Sequence, residues 1–69
     1  MKVSIIIPVR NEELLIEKII DQLEIKLKNL SCEIIFVNDF STDETVNIIE
    51  KIINTKEQMY LFNNKRRGL

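Results

Sequence analysis

The 69-residue sequence contains no histidine and a single cysteine, Cys32. The lone cysteine excludes an intramolecular disulfide and any cysteine-based metal cage. The missing histidine removes His-dependent triads and the commoner zinc ligand sets. Carboxylates, amides, hydroxyls and backbone groups remain as the available chemistry. No apolar run approaches the roughly 18 residues that a membrane span requires, and the first residues lack a signal-peptide layout. These absences predict a soluble protein of a reducing compartment, cytoplasmic in location.

Charge of one sign is also missing. Ten Lys and Arg stand against eleven Asp and Glu, a formal net charge of −1. That balance argues against a surface built to hold nucleic acid, while a local basic cluster remains open. The hydrophobic fraction of 45% is that of a packed core rather than a disordered tail. A single core at this length is close to the limit of independent stability. Either self-association or a missing carboxyl-terminal half is therefore expected.

Residues Val3 to Ile7 form a short β-branched run closed by Pro8, and predict a strand buried on both faces of a parallel sheet. Asn11 then offers an N-cap, with Glu12 and Glu13 in a first helical turn where the dipole favours negative charge. Ile16, Ile20, Leu23, Leu27 and Leu30 follow at spacings of one helix face. Ile34 to Val37 predict a second strand. Ser41 and Glu44 have the spacing of a capping box for a second helix carrying Val46, Ile49 and Ile53. Polar residues from Asn54 to Gln58 end that helix, and Met59 to Phe62 predict a third strand.

Strand, helix, strand, helix, strand specifies parallel pairing through right-handed crossovers. The expected fold is α/β, a three-stranded parallel βαβαβ half of a Rossmann-like, doubly wound fold. Ligands of such sheets bind outside the carboxyl ends of the strands. The polar segments "PVRNEE", "NDFSTDE" and "NNKRRGL" follow those three ends.

Together, "VSIIIPVRNEE" and "EIIFVNDFSTDET" resemble the start of the family 2 glycosyltransferases, which have a GT-A type fold and carry "(I/V)P-x-x-N-E" and "V-D-D-G-S-x-D-x-T" segments. The closing "NNKRRGL" is similar to a "kRGLG" segment of the polyprenyl-phosphate sugar transferases in that family. The resemblance spans the chain, 1–69, as the N-terminal nucleotide-binding part of an incomplete family domain. It implies that Pro8, Arg10 and Glu12 cup the base and ribose of a nucleotide-sugar of UDP or GDP type. Asn38 and Asp39 fall where paired aspartates hold the base and ribose side of that donor. Arg66 and Arg67, with Lys65, fall near a loop that approaches the donor phosphates.

Other roles stand beside these. Glu12 and Glu13 equally suit first-turn electrostatics, Arg10 a solvated surface, and Lys65 to Arg67 a solvated tail. Ser41, Asp43 and Glu44 read first as helix-starting residues, and Cys32 as a small packing residue. The family's usual glycine is Phe40 here, so a left-handed backbone at that position would strain the side chain. A divalent metal, Mg or Mn, is implied for the full-length enzyme. The Asp-x-Asp that holds it has no counterpart in this sequence. The expected function is donor binding for transfer of a sugar to an acceptor, with a polyprenyl phosphate implied by the closing segment and a position at the membrane face in a full-length form. The chain alone is expected to be inactive. A non-catalytic mononucleotide-binding or assembly module, complete at this length, is the alternative. A receiver-type signalling domain would need an acidic cluster after the first strand and a phosphoacceptor aspartate after the third, where asparagines and basic residues stand instead.

Overall fold

The computed structural model describes residues 3–64. Strand β1 (Val3–Val9) leads to helix α1 (Ile16–Leu27), strand β2 (Cys32–Asn38), helix α2 (Thr45–Ile53) and strand β3 (Met59–Asn63). The three strands form one parallel sheet in the order β1-β2-β3. Val3 pairs with Cys32 at one end and Val9 with Asn38 at the other, while Asn38 in turn pairs with Asn63. The expected Rossmann-like α/β half is the observed architecture.

Both helices cover the same face. Ile16 and Ile20 from α1 and Ile49 from α2 close on Val9, Ile34, Phe36 and Met59. Alternation along a strand puts residues two apart on one face. That is why Cys32, Ile34, Phe36 and Asn38 are all buried while Glu33, Ile35 and Val37 are half-buried. The opposite face carries Ile6, Pro8, Ile35, Val37, Tyr60 and Phe62 without a covering layer among the described residues. Ile6 is 64% exposed and Phe62 60%. The expectation that the first strand is buried on both faces is therefore corrected: β1 packs one face only, through Ile5, Ile7 and Val9.

Pro8 does not end β1, which runs on to Val9. The backbone explains it. Val3 donates its N–H to the Ser31 carbonyl, and the Val9 carbonyl accepts from Asp39 N–H. The odd-numbered residues of β1 thus turn their backbone groups toward β2, and Ser4, Ile6 and Pro8 turn theirs to the other side. Proline there removes no ladder bond to β2, the one placement a strand tolerates well.

The first helix also begins later than its sequence suggests. Asn11 has φ 49°, a left-handed conformation that asparagine accepts better than most residues, and it caps nothing. The Glu12 carbonyl instead receives the N–H groups of Leu15 and Ile16, and α1 starts at Ile16 without a side-chain cap. Leu30 falls outside α1 and is exposed. Lys56, in the connection to β3, reaches back to Glu24 of α1 at 2.8 Å. That pair is partly solvated and contributes at most about 1 kcal/mol.

Phe40 has φ 57°. The turn after β2 therefore keeps the left-handed shape that glycine adopts freely, with a bulky residue in it. The conformation costs a residue with a Cβ about 1–2 kcal/mol. Comparing Phe40→Gly with Phe40→Ala isolates this cost, since neither retains the ring. The Gly variant is expected to be the more stable by about 1 kcal/mol in chemical denaturation, reversing the usual order of the two residues. An Ala variant as stable as Gly would show that the turn relaxes out of this conformation.

Candidate functional site

The carboxyl ends of β1 and β2 continue into two loops that are tied together residue by residue. Three successive backbone amides of the first loop donate to three side chains of the second. Asn11 N–H reaches Ser41 Oγ at 3.0 Å, Glu12 N–H reaches Thr45 Oγ1 at 2.8 Å, and Glu13 N–H reaches Asp43 Oδ2 at 3.2 Å. The Asn11 side chain returns the contact, its Oδ1 accepting from Thr42 N–H at 2.7 Å and from the Thr42 hydroxyl at 3.3 Å. The left-handed backbone at Asn11 belongs to the turn that makes this exchange.

The expected capping box is not formed. Ser41 and Glu44 do not meet across the start of α2. Ser41 Oγ accepts from Asn11, and Glu44 accepts from the Asn47 amide. The helix is started instead by Asp43, whose Oδ1 accepts from both the N–H and the hydroxyl of Thr45. Thr45 is fully buried, and its Oγ1 both donates to Asp43 and accepts from Glu12 N–H. Competition decided the outcome. Amides of the neighbouring loop were acceptor-hungry and close, so the side chains that could cap their own helix serve them.

Partial burial raises the pKa of the Asp43 carboxyl, but the Thr45 hydroxyl and the Thr45 and Glu13 N–H groups lower it further, leaving it below the ordinary aspartate value. A folded-state pKa below the unfolded one stabilises the fold above the unfolded pKa, and that contribution is lost as pH falls through the folded pKa. Asp43 therefore adds to acid unfolding below about pH 4. In Asp43→Asn the difference in melting temperature between pH 6 and pH 3 is expected to shrink. An unchanged difference would remove Asp43 from the acid response.

The described residues proposed from sequence divide by face. Asn38 is only 8% exposed and points to the helix side. Its Nδ2 donates to Asn63 Oδ1 at 2.9 Å and its Oδ1 accepts from Ser41 N–H at 3.0 Å, so both ends of the amide are engaged. Asp39 lies on the helix-free side, half-buried. Its backbone N–H holds the Val9 carbonyl at 2.9 Å, and its Oδ1 accepts from Asn64 Nδ2 at 3.3 Å. Asp39 lines a groove of about 260 Å3 with Ile6, Pro8, Val37 and Asn64. Pro8 and Asp39 are thus brought together and Asn38 is not. Arg10 is exposed beyond the end of β1, and Glu12 enters the loop contacts through its backbone. Lys65, Arg66 and Arg67 lie outside the described residues.

Sequence reasoning missed Thr45, Asn63 and Asn64. The adjacent pairs "ND" after β2 and "NN" after β3 were the available signal. In parallel register they face one another, Asn38 to Asn63 directly and Asp39 to Asn64 just beyond. A larger hollow of about 340 Å3 lies near the opposite ends of the strands, lined in part by Leu23, Leu27, Cys32 and Met59. It is remote from the strand ends where parallel sheets hold ligands.

Among the described residues no group of three His, Cys, Asp or Glu side chains is placed to hold a metal ion. No helix among them is long and apolar enough to cross a membrane. Compared with curated proteins, the chain has no match. Against family models, the one described as Glycosyl transferase family 2 matches residues 4–69. That range contains both tied loops, the three strand ends and all of the described sheet except Val3. The chain belongs to glycosyl transferase family 2.

Proposed function

We propose that the carboxyl rim of β1 and β2 binds the nucleotide part of a nucleotide-diphospho-sugar through Asp39 and Pro8, with Arg10 and Glu12 at its margin. The family implies a nucleotide-sugar donor. The observation that carries the assignment to this rim is the groove in which an aspartate at a strand end meets an apolar floor. Donor bases and ribose present N–H and O–H groups that require an acceptor, and a carboxylate supplies one. Arg66 and Arg67 are proposed for the donor phosphates, because a guanidinium fork matches phosphate oxygens. That role rests on the "NNKRRGL" resemblance, as does a polyprenyl phosphate for the acceptor.

Asn38, expected beside Asp39 as a second ligand group, has its amide engaged by Asn63 and by Ser41 N–H. The loop amides of residues 11–13 are likewise engaged by Ser41, Thr45 and Asp43, so the first loop offers its side chains rather than its backbone to a donor. The described residues have no ligand set for the divalent metal that the family resemblance implies. Donor binding is the part of transfer assigned to this chain, and by itself it is proposed to be inactive.

Titration of the full chain with UDP, GDP and their sugars by calorimetry tests the reading. Saturable binding of a nucleotide diphosphate is expected. Absence of binding by all of them at millimolar concentration, to protein shown to be folded by circular dichroism, would overturn it.

A further inference from the structure

Strand β3 is one edge of the described sheet, and alternation decides which of its backbone groups β2 can use. The Gln58 carbonyl accepts from Ile34 N–H, and Asn64 N–H donates to the Asn38 carbonyl. Even-numbered residues of this segment therefore face β2. Met59, Leu61 and Asn63 turn their N–H and C=O groups outward, where no described residue meets them. Sheet edges are ordinarily blunted by proline, charge or a bulge. The outer edge of β1 has Pro8 among its outward-facing residues. β3 has none of the three, since Met59–Asn63 is uncharged, lacks proline and pairs with β2 without interruption. Its two large side chains on the helix-free face, Tyr60 and Phe62, are 46% and 60% exposed.

We infer that β3 pairs antiparallel with β3 of a second copy of this chain, about a two-fold axis at Leu61. The register follows from the outward-facing residues, which alone can form the hydrogen-bonded pairs. Leu61 meets its own counterpart and Met59 meets the second copy's Asn63, each pair exchanging both bonds. Any other symmetric register pairs fewer residues of the strand. Tyr60 then stands opposite the second copy's Phe62, in the non-hydrogen-bonded position where side chains approach most closely. Aromatic pairs so placed stabilise a sheet, and like charges opposite one another weaken it. β3 read backwards matches itself on both counts, which singles out a second copy as the occupant. A contact from β3 to β1 would instead run head to tail without closing, and would leave a β3 carbonyl facing Pro8, which has no N–H to give. Pro8 thus favours closure at two. The seam is narrow, that of a weak and reversible dimer. It leaves the groove beside β1 open, so the inference stands apart from the donor-site reading.

Sedimentation equilibrium of the full chain from micromolar to millimolar concentration tests this, in the wild type, in the double variant Tyr60→Lys with Phe62→Lys, and in Ile6→Lys. The wild type is expected to show a reversible equilibrium of monomer and dimer with no larger species. In the double variant each lysine opposes a lysine, and the dissociation constant is expected to rise about tenfold or more. Ile6 is 64% exposed on the same face but lies on β1, so Ile6→Lys is expected to move it by less than about twofold. Hydrogen exchange of the wild type needs no variant: the Leu61 and Asn63 amides are expected to slow as concentration rises, while the outward Ser4 and Ile6 amides keep their rates. A wild type that stays monomeric throughout, or that builds an open-ended series of larger species, overturns the proposal. So does a folded double variant as dimeric as the wild type, or a dimer in which Leu61 exchanges as fast as in the monomer. An equal loss in Ile6→Lys would place the contact on the face of the sheet and overturn the edge pairing.

Discussion

Thr45→Val is expected to lower the melting temperature by about 10 °C. Valine has nearly the shape of threonine, so the fully buried position stays filled and the loss is that of the hydroxyl. Without it Glu12 N–H loses its acceptor and Asp43 loses one donor. A donor left unsatisfied in a part-buried place costs about 1–3 kcal/mol. A domain of this length has only about 3–10 kcal/mol in total. Each kcal/mol moves the melting temperature of so small a domain by about 4–8 °C. Thr45→Ser keeps the hydroxyl and is expected to stand well above Thr45→Val, although it loses a buried methyl. Thermal melting followed by circular dichroism gives both values. A Val variant within about 2 °C of the wild type would mean that the first loop does not depend on this bond.

Asp39→Ala is expected to produce the opposite pattern, a large loss of binding with little loss of stability. The Asp39 backbone bond to Val9 survives the change, and the side chain gives up only the 3.3 Å contact with Asn64. A charge-assisted hydrogen bond to a ligand contributes about 1.5–3 kcal/mol, so affinity for UDP should fall by about ten- to a hundredfold. Paired measurement of the dissociation constant and the melting temperature checks the split. Undiminished UDP binding would remove Asp39 from the site, and a melting temperature as low as that of Thr45→Val would make the residue structural.

The order of elements and the parallel pairing were legible in the sequence because each apolar run has the period of its element and each crossover is short. The family 2 resemblance was legible too, and the family match bears it out. What could not be read was which atom each polar side chain would serve. Ser41 and Glu44 have the spacing of a reciprocal cap, but spacing along one segment is blind to amides arriving from another. Asn38 and Asp39 are adjacent in sequence and fall on opposite faces of a strand, one closing a turn and the other lining a groove. The pairing of Asn63 and Asn64 with them depends on strand register, which appears only when the sheet is assembled. Pro8 misled for a related reason. Its missing N–H ends a strand only where a neighbour needs that donor, and at this position β2 does not.

The place of β2 between β1 and β3 also bears on how fast the chain reaches this arrangement. Neither outer strand has another partner among the described residues, and each pairing joins residues far apart in sequence, as Val3 with Cys32 and Ile34 with Met59, before any contact rewards it. No hairpin offers a quicker route. The first pairing of β2 with either neighbour is therefore the slow event. The remaining outer strand then docks against an edge already ordered. Until the first meeting occurs Phe36 and its flanking isoleucines are in water, so the central strand sets both the folding rate and the interval in which the chain is most prone to aggregate.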